Sequence, residues 1–97
     1  MFQIIFTAEA SDDLDQLRRF DQRRIVQAIK TQLTHQPDQP TRNRKRLRPN
    51  PLAEWELRVD EFRVFYDADR ANQQVVIAAI GQKQGNKLFV HGEEYSL

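Results

Sequence analysis

The stretch from Glu54 to Asp67, Glu-Trp-Glu-Leu-Arg-Val-Asp-Glu-Phe-Arg-Val-Phe-Tyr-Asp, sets the terms for the rest of the chain. Trp55, Leu57 and Val59 alternate with Glu56, Arg58 and Asp60, the period of two that puts one apolar row on one face of a strand. After Glu61 the alternation resumes in the opposite phase, with Phe62, Val64 and Tyr66 apolar and Arg63 between the first two. A phase change across two polar residues is what a tight antiparallel hairpin needs to return both apolar rows to one core. Asp60-Glu61 lacks the glycine that two-residue turns favour, so turn chemistry alone does not fix the register. The face away from the apolar rows carries Arg58 and Arg63, two guanidinium forks on a rigid sheet.

The flanking segments supply layers for that hairpin. Phe2 to Phe6 is a short apolar strand with Phe2, Ile4 and Phe6 on one side. Thr7 caps the helix that follows, and Glu9 sits in its first turn, where the helix dipole favours an acid. Ala10, Leu14 and Leu17 give that helix its buried stripe. Asp21 is placed to cap a second helix, whose inner face is Ile25, Ala28, Ile29 and Leu33 and whose end lies near His35, before Pro37 and Pro40. With no long loop between them, the two helices form a helical hairpin.

A basic strand at positions 42 to 48 precedes the Trp55 and Phe62 strands. Arg42, Arg44, Arg46 and Arg48 fall on one of its faces, Lys45 and Leu47 on the other. Val75 to Ile80 reads as a central strand buried on both faces, ended by Gly81. Gly85-Asn86 turns the chain into a weaker strand, 87–91, followed by an acidic tail that is expected to fray. The expected fold is α+β: an N-terminal strand, a helical hairpin, then a mostly antiparallel four- to five-stranded sheet, in a single domain over residues 1–97. One small core is expected, joining Trp55, Leu57, Val64, Tyr66, Val76 and Ala78 to Leu14, Ile25 and Ile29.

Charge narrows the function classes. Residues 18 to 48 hold ten Lys or Arg against two acids, a net of +8, and the remainder nets −7. Such polarity suits a polyanion or an acidic protein partner, with a merely solvated face as the plainer alternative. Cysteine is absent, which excludes disulfides and thiolate metal sites. His35 and His91 lie far apart without acids at metal spacing, so neither metal nor cofactor is expected. No apolar run approaches the roughly 20 residues of a membrane helix, and the N-terminus lacks the charged start of a signal peptide, so the expected location is cytoplasmic.

This layout resembles the RelE/ParE family of bacterial toxins, the toxin halves of type II toxin–antitoxin modules. The matching pieces are Arg46-Leu47-Arg48, Trp55-Glu-Leu-Arg58-Val, Phe62-Arg63-Val-Phe-Tyr66, and Val75 to Gly81 with Lys83 beyond it. The resemblance spans nearly the whole chain and implies a cognate antitoxin as partner. It also implies either of two activities. RelE-like members are ribosome-dependent endoribonucleases that cut mRNA, whereas ParE-like members inhibit DNA gyrase without cutting anything. A toxin that has lost catalysis and only binds its antitoxin is a third outcome.

Carried onto this sequence, the nuclease pattern assigns Arg63 to the phosphate, with Arg58 and Lys83 beside it. Arg44, Lys45, Arg46, Arg48 and Lys87 become candidate RNA-binding residues. The plainer role for Arg63 is an ion pair with Glu56 or Asp60. Two positions depart from the pattern. Glu56 stands where some nuclease members carry a lysine, and Phe89 stands where a catalytic tyrosine is expected. A phenyl ring transfers no proton. His91 is the expected substitute, since imidazole titrates near neutrality; it is equally a turn residue before Gly92, and Tyr95 is a third candidate.

Overall fold

A computed structural model of the chain describes residues 1–96. The elements run β1 (Gln3–Phe6), α1 (Ala8–Asp15), α2 (Arg19–Leu33), β2 (Arg44–Arg46), β3 (Trp55–Val59), β4 (Phe62–Asp69), β5 (Gln74–Gln84), β6 (Lys87–Val90) and β7 (Glu93–Tyr95). Strands β2 to β7 lie in chain order, each antiparallel to the next. β1 runs parallel to the first half of β5, with Ile4 opposite Val75 and Phe6 opposite Ile77. The fold is the expected α+β one, with seven strands in place of four or five. Among the described residues, no helix is long and apolar enough to cross a membrane.

The central hairpin closes as tightly as its pattern requires. Val59 faces Phe62 across the two-residue turn, and Asp60 takes φ +53 where a glycine would be usual. Aspartate tolerates that left-handed conformation better than most residues. At the other end of the chain, Thr7 caps α1 as expected, its Oγ1 accepting from the Ala10 amide at 3.1 Å and donating to the Ala78 carbonyl at 3.2 Å.

Five expectations are corrected. First, α2 begins one turn early: its N-cap is Arg18, and Asp21 lies within the first turn, buried and bonded to Arg18 and Arg24. Second, β5 does not end at Gly81 but runs through it to Gln84. Gly81 is there because the space is already filled: a Cβ would meet Val90 Cγ2 at 2.8 Å and the Phe89 carbonyl at 2.9 Å. Third, the pairing of β4 with β5 slips between Phe65↔Ala79 and Tyr66↔Ile77, leaving Ala78 as an extra residue. Such a bulge inverts the phase of the strand. Val75, Ile77 and Ile80 therefore join the helix-side core, not Val76 and Ala78.

Fourth, there are two apolar clusters, one on each face of the sheet. The larger sets Trp55, Leu57, Phe62, Val64 and Tyr66 against Ile25, Ile29 and Leu33 of α2. The smaller joins Phe65, Ala79, Leu88 and Val90, with Leu47 and Tyr95 packed against it. Fifth, the acidic tail forms β7. His91 and Gly92, at φ +55 and +77, make a third two-residue turn after Asp60-Glu61 and Gly85-Asn86, so that Leu88 faces Tyr95.

Candidate functional site

Strand alternation and register together decide which side chains meet on the face away from the helices. Arg58 lies directly opposite Arg63, Lys45 opposite Glu56, and Arg63 opposite Gly81 on its other side. Two residues beyond Gly81, Lys83 returns to the same face. Lys45, Glu56, Arg58, Arg63 and Lys83 line a groove of about 320 Å³ with Tyr95 on its far wall, brought there by β7. Leu47 and Leu88 contribute its apolar lining, and Glu56 and Glu94 its acids.

Arg63 sits at the back of this groove, only 8% exposed. Its Nη1 donates to the carbonyls of Asp60 at 2.7 Å and Phe62 at 2.8 Å, which aims the fork along the sheet surface. Burial pulls its pKa below the ordinary arginine value; nearby Glu56 counters that pull and Arg58 adds to it. A guanidinium nevertheless keeps its proton. Among the described residues, Arg63, Arg58, Lys45 and Lys83 form no ion pair with a carboxylate. One buried and three exposed cations without a carboxylate partner give this part of the groove a positive bias, tempered by Glu56 and Glu94, that suits an anion.

The other basic candidates part company here. Arg44 turns to the helix side, where its Nη1 and Nε donate to the carbonyls of Gln32 at 2.5 Å and Gln39 at 3.0 Å. It thereby satisfies the C-terminal end of α2. Arg46 packs over Trp55 at 5.7 Å and lies 3.8 Å from Glu54. Arg48 lines a neighbouring cleft of about 510 Å³, whose wall is fixed by the Asn50 side chain bonding to Ala53 and Leu52. Lys87 is exposed opposite Gln84, outside the groove lining.

His91 is not brought together with the arginines. Its Nε2 lies 2.9 Å from Asp13 Oδ2 on α1, in a separate cleft that Phe89 also lines. The same carboxylate oxygen accepts the Ile80 amide at 3.0 Å. Tyr95 is thus the phenol on the groove, and the sequence holds a signal for it. His-Gly between Leu88-Phe-Val90 and Glu93-Glu-Tyr95 is a pair of residues suited to a two-residue hairpin turn.

A family model for the ParE toxin of the type II toxin–antitoxin system parDE matches residues 4–86. The chain belongs to that ParE toxin family. It is also similar in structure to a chain of the toxin–antitoxin complex RelBE2 from Mycobacterium tuberculosis, at 24% identity and a TM-score of 0.73, over 84% of this chain and 98% of the other. No curated protein matches it in sequence. The family match takes in Lys45, Arg58, Arg63 and Lys83 but ends before β6 and β7. In this ParE-family toxin, the cationic part of the groove lies in the shared domain and the wall bearing Tyr95 lies beyond the match.

Proposed function

We propose that this toxin acts on RNA, holding a phosphodiester in the groove and cleaving mRNA on the ribosome without a metal. The observation that carries the reading is the group Arg58, Arg63, Lys45 and Lys83, unpaired among the described residues and facing one groove with a phenol opposite. In such a reaction the ribose 2′-oxygen bonds to phosphorus as the bond to the 5′-oxygen breaks, giving a 2′,3′-cyclic phosphate and a 5′-hydroxyl. A base removes the 2′ proton, an acid supplies one to the leaving oxygen, and cations meet the charge that grows on the phosphoryl oxygens. Arg63, Arg58 and Lys83 take the charge. Tyr95 is the group on the groove able to donate and accept a proton. Lys45 and Arg48 extend the track for flanking phosphates.

A second reading, a non-catalytic inhibitor of DNA gyrase, draws on Glu56 and Glu94, acids that share the groove and repel phosphate. Under either reading the cognate antitoxin neutralises the toxin by laying an acidic segment over the same cations. The deciding experiment supplies purified toxin with ribosomes on a defined mRNA and maps new 5′ ends, beside a gyrase supercoiling assay. The nuclease reading expects ribosome-dependent cuts that vanish in Arg63→Ala. Intact mRNA together with blocked supercoiling would establish the gyrase reading instead.

A further inference from the structure

The turn Asp60-Glu61 is held from both faces of the sheet. Its backbone carbonyls serve the groove: Asp60 accepts Arg63 Nη1 at 2.7 Å, and Glu61 accepts the Lys83 amide at 2.7 Å. Its side chains reach the opposite way, to Arg24 on α2. Arg24 Nη1 bonds Asp60 Oδ2, and Nη2 lies 3.5 Å from Glu61 Oε1.

Arg24 is itself fixed. Nη2 also donates to Asp21 Oδ1 at 2.9 Å, and the second oxygen of that buried carboxylate takes Arg18 Nε at 3.1 Å. The guanidinium lies between the rings of Phe20 and Phe62, 5.3 and 5.7 Å from their centres. Its Nε is buried with no partner, so the position is not one that satisfies Arg24 alone. The fork is placed where three carboxylates converge.

We infer that Arg24 is a positioning residue for the groove: by gripping the side chains of Asp60 and Glu61 it fixes the turn whose carbonyls aim Arg63 and seat Lys83. Its effect on activity rests on the groove being the toxin's working site. Two physical reasons support the role. Asp60 holds a left-handed backbone, which aspartate tolerates better than most residues but which still carries a conformational cost that a grip on its side chain offsets. In addition, the Asp60 carboxylate is one of the two ion-pair partners the sequence offers Arg63, beside Glu56, and Arg24 occupies it from the other face. Without Arg24, two adjacent carboxylates repel, the turn relaxes, and Asp60 is released to neutralise the cation that the groove needs.

The test compares Arg24→Gln with Arg23→Gln, which removes an exposed charge one residue away, and with Asp60→Asn, which tolerates the turn but carries no charge for Arg24 to grip. Three quantities are read well below each melting temperature: the NMR signal of the Arg63 guanidinium N–H, affinity for a single-stranded RNA oligonucleotide, and ribosome-dependent cleavage. Arg24→Gln and Asp60→Asn are expected to shift or broaden the Arg63 signal. RNA affinity and cleavage should fall roughly ten- to a hundredfold, the scale of a misplacement near 1 Å, while Arg23→Gln stays near wild type. Arg24→Lys should restore part of the loss. An Arg63 signal unmoved in both variants overturns the inference. A shifted signal in a protein whose wild type neither binds nor cuts RNA leaves the clamp standing and removes the RNA reading.

Discussion

Arg58 and Arg63 stand directly opposite each other on β3 and β4, two like charges in register across a ladder. Such a pair destabilises a sheet, and here burial of Arg63 adds to the strain on its charge. An anion bound in the groove would relieve the pair. Arg58→Thr, a strand-forming residue without the charge, should therefore raise stability by about 0.2–1 kcal/mol in a low-salt melt. The same variant should bind RNA more weakly, and added salt should shrink the stability gain. A loss of stability would mean that Arg58 is a structural member of the hairpin.

Arg63→Ala should remove toxicity. Deleting a positioned donor to a transition-state oxyanion lowers rates on the order of 100- to 1,000-fold. Arg63→Lys keeps the charge but loses the fork, so it should recover only part of that loss. Growth arrest on induction, paired with thermal melts, checks the series. Full toxicity in the alanine variant would take Arg63 out of the site.

The parts of this fold legible in the sequence were those governed by local period. The hairpin at Asp60-Glu61, the Thr7 cap and the inner face of α2 follow from spacing alone. What stayed hidden depended on pairing between distant segments. The bulge at Ala78 of β5 is defined only by its pairing with β4, and it reversed which residues of β5 enter the helix-side core. Gly81 looked like a breaker because its neighbours in space, Phe65, Phe89 and Val90, are invisible to a linear reading. Among the site residues, alternation separated Lys45 from Arg44 and Arg46. It could not show that a seventh strand would carry Tyr95 to the groove while His91 turned to Asp13.

Gly81→Ala tests that close approach. The new methyl would sit 2.8 Å from Val90 Cγ2 and 2.9 Å from the Phe89 carbonyl, and the carbonyl belongs to a paired strand that has little room to retreat. Overpacking of this kind typically destabilises by about 1–3 kcal/mol. A denaturant melt of the variant measures it, and because Gly81 is Arg63's partner on β5, RNA binding should weaken too.

Asp21 gives a pH dependence with a defined sign. The hydrogen bond from Arg18 holds its carboxyl below the ordinary carboxylate pKa; burial opposes this, and Arg24 reinforces it. A pKa lower in the folded than in the unfolded chain contributes stability that is complete above the unfolded value, about 3.9, and is lost as pH falls through the folded one. Asp21→Asn should thus melt earlier than wild type at pH 7. The two curves should converge as pH drops below 4. A gap between them that persists in acid would assign the effect to packing in place of charge.

Tyr95→Phe isolates the proton-transfer group. The phenyl ring keeps the packing of Tyr95 against Leu88 across the β6–β7 ladder, and only the hydroxyl is lost from the groove. If that hydroxyl moves a proton during cleavage, the rate should fall by about 100- to 10,000-fold, the usual contribution of a general acid or base. RNA affinity and melting temperature should hardly change, since the cations and the ring remain. His91→Asn is the companion variant: asparagine accepts the left-handed turn at φ +55 but lacks the imidazole that lies against Asp13. It should alter stability through α1 and leave the cleavage step intact in the folded protein. The opposite pattern, cleavage unchanged in Tyr95→Phe and abolished in His91→Asn at an unaltered melt, would transfer the proton-transfer role to the histidine. That outcome would require the β6–β7 turn to leave Asp13 and swing across to the arginine face before the toxin acts.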